Sequence, residues 1–128
     1  MPSNYSTFNF DPEFSIITFT IRGRADSTGI IDTIRQAFEI QPADNSIWDL
    51  SEADLSELDH RSLQQIIDAA KPINRQRKDG ARTALVAGRE DARALLSLFR
   101  ALNQYAPSHI EYRVVGSIEE AKRWIAEG

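Results

Sequence analysis

His60 stands between Asp59 and Arg61, with Asp54, Ser56 and Ser62 within six residues of it. A hydroxyl, an imidazole and a carboxylate are the parts of a nucleophile, its base and an orienting acid, the set used in acyl transfer. Neighbours in sequence do not make such a set. On a helix the side chains of adjacent residues diverge, and the three groups must converge in space. The plainer reading is that Asp59 or Ser56 caps a helix and His60 is a solvated first-turn residue. The same His60 with carboxylates makes a poor metal site, because the other histidine, His109, is far away in sequence. The chain has no cysteine, which removes thiolate nucleophiles and thiolate metal or iron–sulfur sites. Gly88-Arg89-Glu90-Asp91 carries one glycine and reads as a helix cap rather than a phosphate cradle, and no G-x-S-x-G, H-E-x-x-H or G-x-G-x-x-G pattern occurs. No catalytic set, metal or cofactor is expected, and the chain is read as a non-enzyme.

Charge is organised in two runs. Asp44, Asp49, Glu52, Asp54, Glu57 and Asp59 form an acidic stretch, which could dock a basic partner or simply favour the N-terminus of a following helix. Lys71, Arg75, Arg77, Lys78 and Arg82 follow, with only Asp79 among them. That run could touch an anionic lipid headgroup in a peripheral membrane contact, or complement the C-terminal end of a helix. The net charge of −4 argues against a general nucleic-acid binder.

Alternating and helical periods then say what positions these residues. Thr7 to Phe10 and Ser15 to Arg22 alternate around an Asp11-Pro12-Glu13 turn, which predicts an antiparallel hairpin. Ile47–Leu50, Thr83–Ala87 and Ile110–Val115 are three more strands. Apolar faces at helical spacing run through Ile30–Phe38, Leu63–Ala70, Leu95–Leu102 and Ile118–Ile125. Pro72 is expected to bend or end the second helix, and Ser117 with Glu120 has capping-box spacing at the start of the fourth. The remaining punctuation falls at Pro42–Asn45, Asp79-Gly80 and Ala106-Pro107-Ser108. The order β-β-α-β-α-β-α-β-α predicts an α/β domain: a five-stranded, mostly parallel sheet with an antiparallel first strand and four main helices. Threonines interleaved with Ile16, Phe19 and Ile21 predict helices mostly on one face and a partly wet second face.

The element order and several blocks resemble the STAS family (sulfate transporter and anti-sigma factor antagonist), in particular its small stand-alone bacterial STAS-like members. The blocks are Ile47–Ser51, Thr83–Ala87 leading into the Leu95–Leu102 helix, Glu111–Val115, Ser117–Ala121 and Trp124-Ile125. The likeness spans nearly the whole chain and is carried mostly by hydrophobic pattern. It implies strands stacked in sequential order and a functional loop after the third strand. In anti-sigma antagonists that loop presents a phosphorylatable serine at the start of the second helix. Here Asp54, Leu55, Ser56, Asp59 and Leu63 fit the frame, while the two serines fall on His60 and Arg61 and the glycine on Ser62. The phosphoacceptor position is therefore Arg61. The resemblance implies a partner-binding loop of Ser51, Glu52, Asp54, Ser56, Glu57, Asp59, His60, Arg61 and Ser62. Its partner would be a protein such as a regulatory kinase or an anti-sigma-like factor, met without the usual phosphoserine switch.

A second function follows from the likeness of some STAS-like proteins to CRAL-TRIO lipid carriers. It expects a groove for a small lipophilic or anionic ligand, bounded by Ile73, Leu95, Leu96, Phe99 and Tyr105. The length of 128 residues, with 41% hydrophobic and 27% charged residues, fits one globular domain over 1–128. No apolar run approaches the roughly 20 residues of a membrane span, and the N-terminus lacks the pattern of a secretory signal. A cytoplasmic protein is expected. Self-association is expected along the Ile16/Thr18/Thr20 side or the final strand.

Overall fold

The computed structural model describes residues 4–105 and 109–127, with the backbone alone for 4–6 and 104–105. The chain forms β1 (Asn4–Asp11), β2 (Ile16–Arg24), α1 (Ser27–Ile40), β3 (Asn45–Asp49), β4 (Ala53–Asp54), α2 (His60–Asn74), β5 (Arg82–Val86), α3 (Glu90–Tyr105), β6 (Glu111–Val115) and α4 (Ile118–Ala126). The hairpin closes where Asp11-Pro12-Glu13 predicts it. Asp11 Oδ1 accepts from the Glu13 amide at 2.9 Å, and Ser15 completes the turn at φ 51°. The strands then lie in the order β1-β2-β3-β5-β6, with β1 antiparallel to β2 and the rest parallel. The expected five strands gain a sixth: β4 pairs with the end of β2 through Gly23↔Ala53 and Arg24↔Asp54. Gly23, at φ 77°, sits where a side chain would be strained. The Ala106–Ser108 turn lies outside the described residues.

The two faces of the sheet are covered unequally. On the first, α1, α2 and α3 pack Ile30, Ile34, Leu63, Ile66, Leu96 and Phe99 against Ile17, Phe19, Ile21, Trp48 and Leu85. The centre of this core is aromatic, with Trp48 5.5 Å from Phe19 and 5.4 Å from Phe99 between ring centroids. On the second face α4 alone lies over Ile16, Ile47, Ala84, Val86 and Val115. Arg82 and Arg113 both stack on the Trp124 ring, at 4.9 and 5.3 Å from its centroid. Beyond α4 the second face is left to Thr7, Asn9, Thr18 and Thr20, which are exposed or half-exposed. Ile16 belongs to the buried α4 cluster, so the expected Ile16/Thr18/Thr20 seam is not one free surface.

Local capping follows the sequence closely. Ser117 Oγ accepts from the Glu120 amide at 3.1 Å, and Glu120 Oε2 accepts from Gly116, one residue before the usual box partner, at 2.8 Å. Helix α2 runs past Pro72 to Asn74. The proline falls in the last turn, so the helix ends two residues after it rather than at it.

Candidate functional site

After β3 the chain turns at the carboxyl ends of the parallel strands, where open α/β sheets present their sites. The turn is pinned from below. The Leu50 amide donates to Val86 O at 3.0 Å, and Leu55 and Leu58 are buried in the main core. It is pinned from the side by β4 and by two ion pairs to β2, Arg22–Glu52 at 2.9 Å and Arg24–Glu57 at 3.6 Å. Those pairs are exposed and add little stability. Their consequence is that two carboxylates of the acidic stretch already have cations.

Asp49, Asp54 and Asp59 serve the backbone and the loop's own serines. Asp49 Oδ1 accepts from Ser51 Oγ at 2.7 Å. Asp54 accepts from the Ser56 amide at 3.0 Å, and its carboxyl is held below the ordinary value of 3.8 first by the Ser56 hydroxyl and then by that amide. Asp59 is the N-cap of α2. It accepts from the Ser62 amide at 2.8 Å and the Ser62 hydroxyl at 2.9 Å, and these hold its carboxyl below 3.8 as well. Each serine of the loop thus donates to an aspartate two or three residues before it. A phosphate on Ser51 or Ser62 would displace a hydroxyl bond, and on any of the three it would meet a neighbouring carboxylate.

The cap has a testable pH signature. Both carboxyls are lower in the folded chain than unfolded, so their contribution is complete above about 3.8 and fades as pH falls through the lowered values. Asp59→Ala should lower the melting temperature at pH 7, and its gap to wild type should narrow in scans below pH 3.8. Asp59→Asn, which still accepts at an N-cap, should retain most of the stability.

Of the predicted loop residues, Ser51, Glu52, Asp54, Ser56, Glu57, Asp59, His60 and Arg61 are exposed and Ser62 is half-exposed. Asp59 is the cap and His60 a solvated first-turn residue. Among the described residues neither His60 nor Arg61 has an ion-pair partner, and no three His, Asp or Glu side chains gather as a metal-holding group. Beside the loop, Asp54, Ser56 and Leu58 face Arg89, Ala92 and Leu95 of the α3 start across a cleft of about 300 Å³.

Three expectations are corrected. The acidic stretch is not one patch, because Asp44 lies at the amino end of β3, 3.9 Å from Lys78, at the opposite end of the strand from Asp59. The basic run is not one patch either. Lys71 pairs with Asp68 at 3.2 Å, Arg77 is buried and Arg82 stacks on Trp124 across the sheet. The groove residues that the structure describes line no common cavity among the described residues. Leu96 and Phe99 are buried in the core, Leu95 lines the cleft above, and the Tyr105 side chain lies outside the described residues. Ile73 lines a different groove, of about 500 Å³, with Phe38, Ala69, Pro72 and Arg77 between the C-terminal ends of α1 and α2. Sequence reasoning missed that groove because its walls meet only when α1 and α2 pack.

No family model and no curated protein matches the chain. Among solved structures it resembles an uncharacterised protein of the DUF3478 family from Shewanella loihica PV-4, described as having a SpoIIAA-like fold. The two share 11% identity and superpose with a TM-score of 0.61 over 96% of this chain and 94% of that one. Among the described residues no helix is long and apolar enough to cross a membrane. The chain is an α/β domain of SpoIIAA-like fold, the fold that the STAS resemblance implies.

Proposed function

We propose that the chain is a non-enzymatic regulatory module that binds a protein partner through the β3–α2 loop, without a phosphoserine switch. The observation that carries this is the state of the loop. Leu55 and Leu58 anchor it, the Ser51 and Ser62 hydroxyls and the Ser56 amide are tied to carboxylates, and Arg61 projects from the first turn of α2 with no ion-pair partner among the described residues. A preformed surface loses little conformational entropy on binding. A fixed guanidinium at the helix start offers a partner's carboxylate a bidentate contact.

Arg61→Glu tests the reading. Arg61 is exposed in the first turn, where a carboxylate suits the helix dipole, so stability should change by less than about 1 kcal/mol. Partner recovery from native lysate should fall several-fold, while Lys122→Glu, on α4 at the opposite face, should recover the partner as wild type does. Equal recovery by all three proteins would rule the loop out as the contact surface. Stoichiometric phosphate on Ser51, Ser56 or Ser62 of the native protein would restore the switch.

A further inference from the structure

The two edges of the sheet differ in kind. The β6 edge is five residues long and carries Glu111 and Arg113, the charge and brevity by which natural sheets discourage edge pairing. The β1 edge is eight residues long, and from Asn4 to Phe10 it holds no charged residue, proline or glycine. Among the described residues its outward N–H and C=O groups have no neighbouring strand in the sheet order. Exposed large apolar residues gather on the elements of this side. Phe8 is on β1 and 40% exposed, Phe14 is in the β1–β2 turn at 43%, and Ile40 ends α1 at 68%. Among the described residues the other exposed large apolar residue is Leu98, on α3.

We infer that β1 pairs antiparallel with β1 of a second copy about a two-fold axis through Phe8, joining the two sheets into one. The axis stands perpendicular to the sheet, so each face continues into the same face of the partner and a residue on the axis opposes its own copy. An axis through Thr7 or Phe8 pairs seven residues of β1, the most that an axis on one residue allows, and the Phe8 axis runs the pairing from Tyr5 to Asp11. It also sets Thr7 opposite Asn9 and Ser6 opposite Phe10, and keeps the two Asp11 residues apart. Phe8 is on the face of Phe19 and Trp48, so the two Phe8 rings would extend the aromatic row of the core across the axis. The α1 helices would flank the seam on the same face. This places the seam on the first strand rather than on the final strand or the α4-covered face.

The absence of cysteine gives a direct test. Directly opposed antiparallel residues have Cα atoms about 4.5–5.5 Å apart, within disulfide range. Wild type should sediment as a dimer at about 100 µM. The Phe8→Cys variant should oxidise to a covalent dimer, while an Arg113→Cys variant on the β6 edge should form little covalent dimer under the same oxidant. Phe8→Lys and Phe8→Glu should each sediment as monomers, and an equimolar mixture of the two should recover a dimer through the opposed charges. Monomeric wild type, cross-linking at position 113 equal to that at position 8, or a dimer unchanged by Phe8→Lys would overturn the inference.

Discussion

Replacing Trp48 with alanine should destabilise the protein by about 4 kcal/mol, while Trp48→Phe should cost no more than about 1 kcal/mol. Trp48 is 6% exposed and lies between Phe19 and Phe99 at the middle of the main core, and Phe99 in turn sits 5.8 Å from Tyr112. Truncating a buried aromatic side chain removes its transfer energy and leaves a cavity, together about 3–5 kcal/mol. Phenylalanine keeps a ring in contact with both neighbours. It also removes a buried group, the indole Nε1, for which the described residues offer no acceptor. An orphaned buried donor costs about 1–3 kcal/mol, which offsets much of the lost ring area. Urea unfolding at pH 7 reads both variants. A Trp48→Phe loss as large as the alanine loss would mean that the indole N–H does have a partner.

The main architecture was legible because it is written in period. Alternation around Asp11–Glu13 gives the hairpin, and apolar spacing from Leu63 to Ala70 and from Leu95 to Leu102 gives the helices. The interleaved threonines of β2 gave the unequal coverage of the sheet. Even so, the sequence does not say that α4 alone would take the second face. The strand β4 was not legible, because two residues cannot show a period. It exists because Gly23 turns and Arg24 continues β2 far enough for Ala53 and Asp54 to pair with it.

At the candidate site the residue types were legible and their pairings were not. The Asp59 cap could be read from its place before an apolar helix. The acidic stretch looked like one surface because its residues are near in sequence. A parallel strand carries Asp44 and Asp49 to opposite ends of the sheet, and the later carboxylates are taken up by serines and by Arg22 and Arg24. Charge runs report composition, whereas the strand direction decides which charges share a surface.

Arg77 shows the same limit, and its replacement should have the other large effect. In sequence it is one of several cations in a polar loop. In the fold it is 7% exposed and stacks 5.6 Å from the Phe38 ring centroid. Its guanidinium donates to Asp44 O at 2.9 Å, Asn74 Oδ1 at 3.1 Å and Arg82 O at 3.1 Å. Its own carbonyl accepts from His109 Nε2 at 2.7 Å, which places the proton on that nitrogen. One side chain thereby joins the approach to β3, the end of α2 and the start of β5. Burial pushes Arg77 down to about 10, so it is charged at neutral pH, and among the described residues no carboxylate lies within 4 Å of it. Two costs compete on substitution. Removing the buried charge relieves desolvation, while removing the fork orphans three acceptors. We expect the acceptors to dominate because a planar fork meets all three at once and no other side chain can. Arg77→Met should therefore lose about 3 kcal/mol, and Arg77→Lys about 2 kcal/mol, since an ammonium keeps the charge but spans fewer of the acceptors. The gap between wild type and Arg77→Met should stay level between about pH 6 and 9, because the folded-state titration lies above that window. Chemical unfolding across that range checks both statements. A Met variant as stable as wild type would show that burial of the charge, rather than its hydrogen bonds, sets the balance at this end of the sheet.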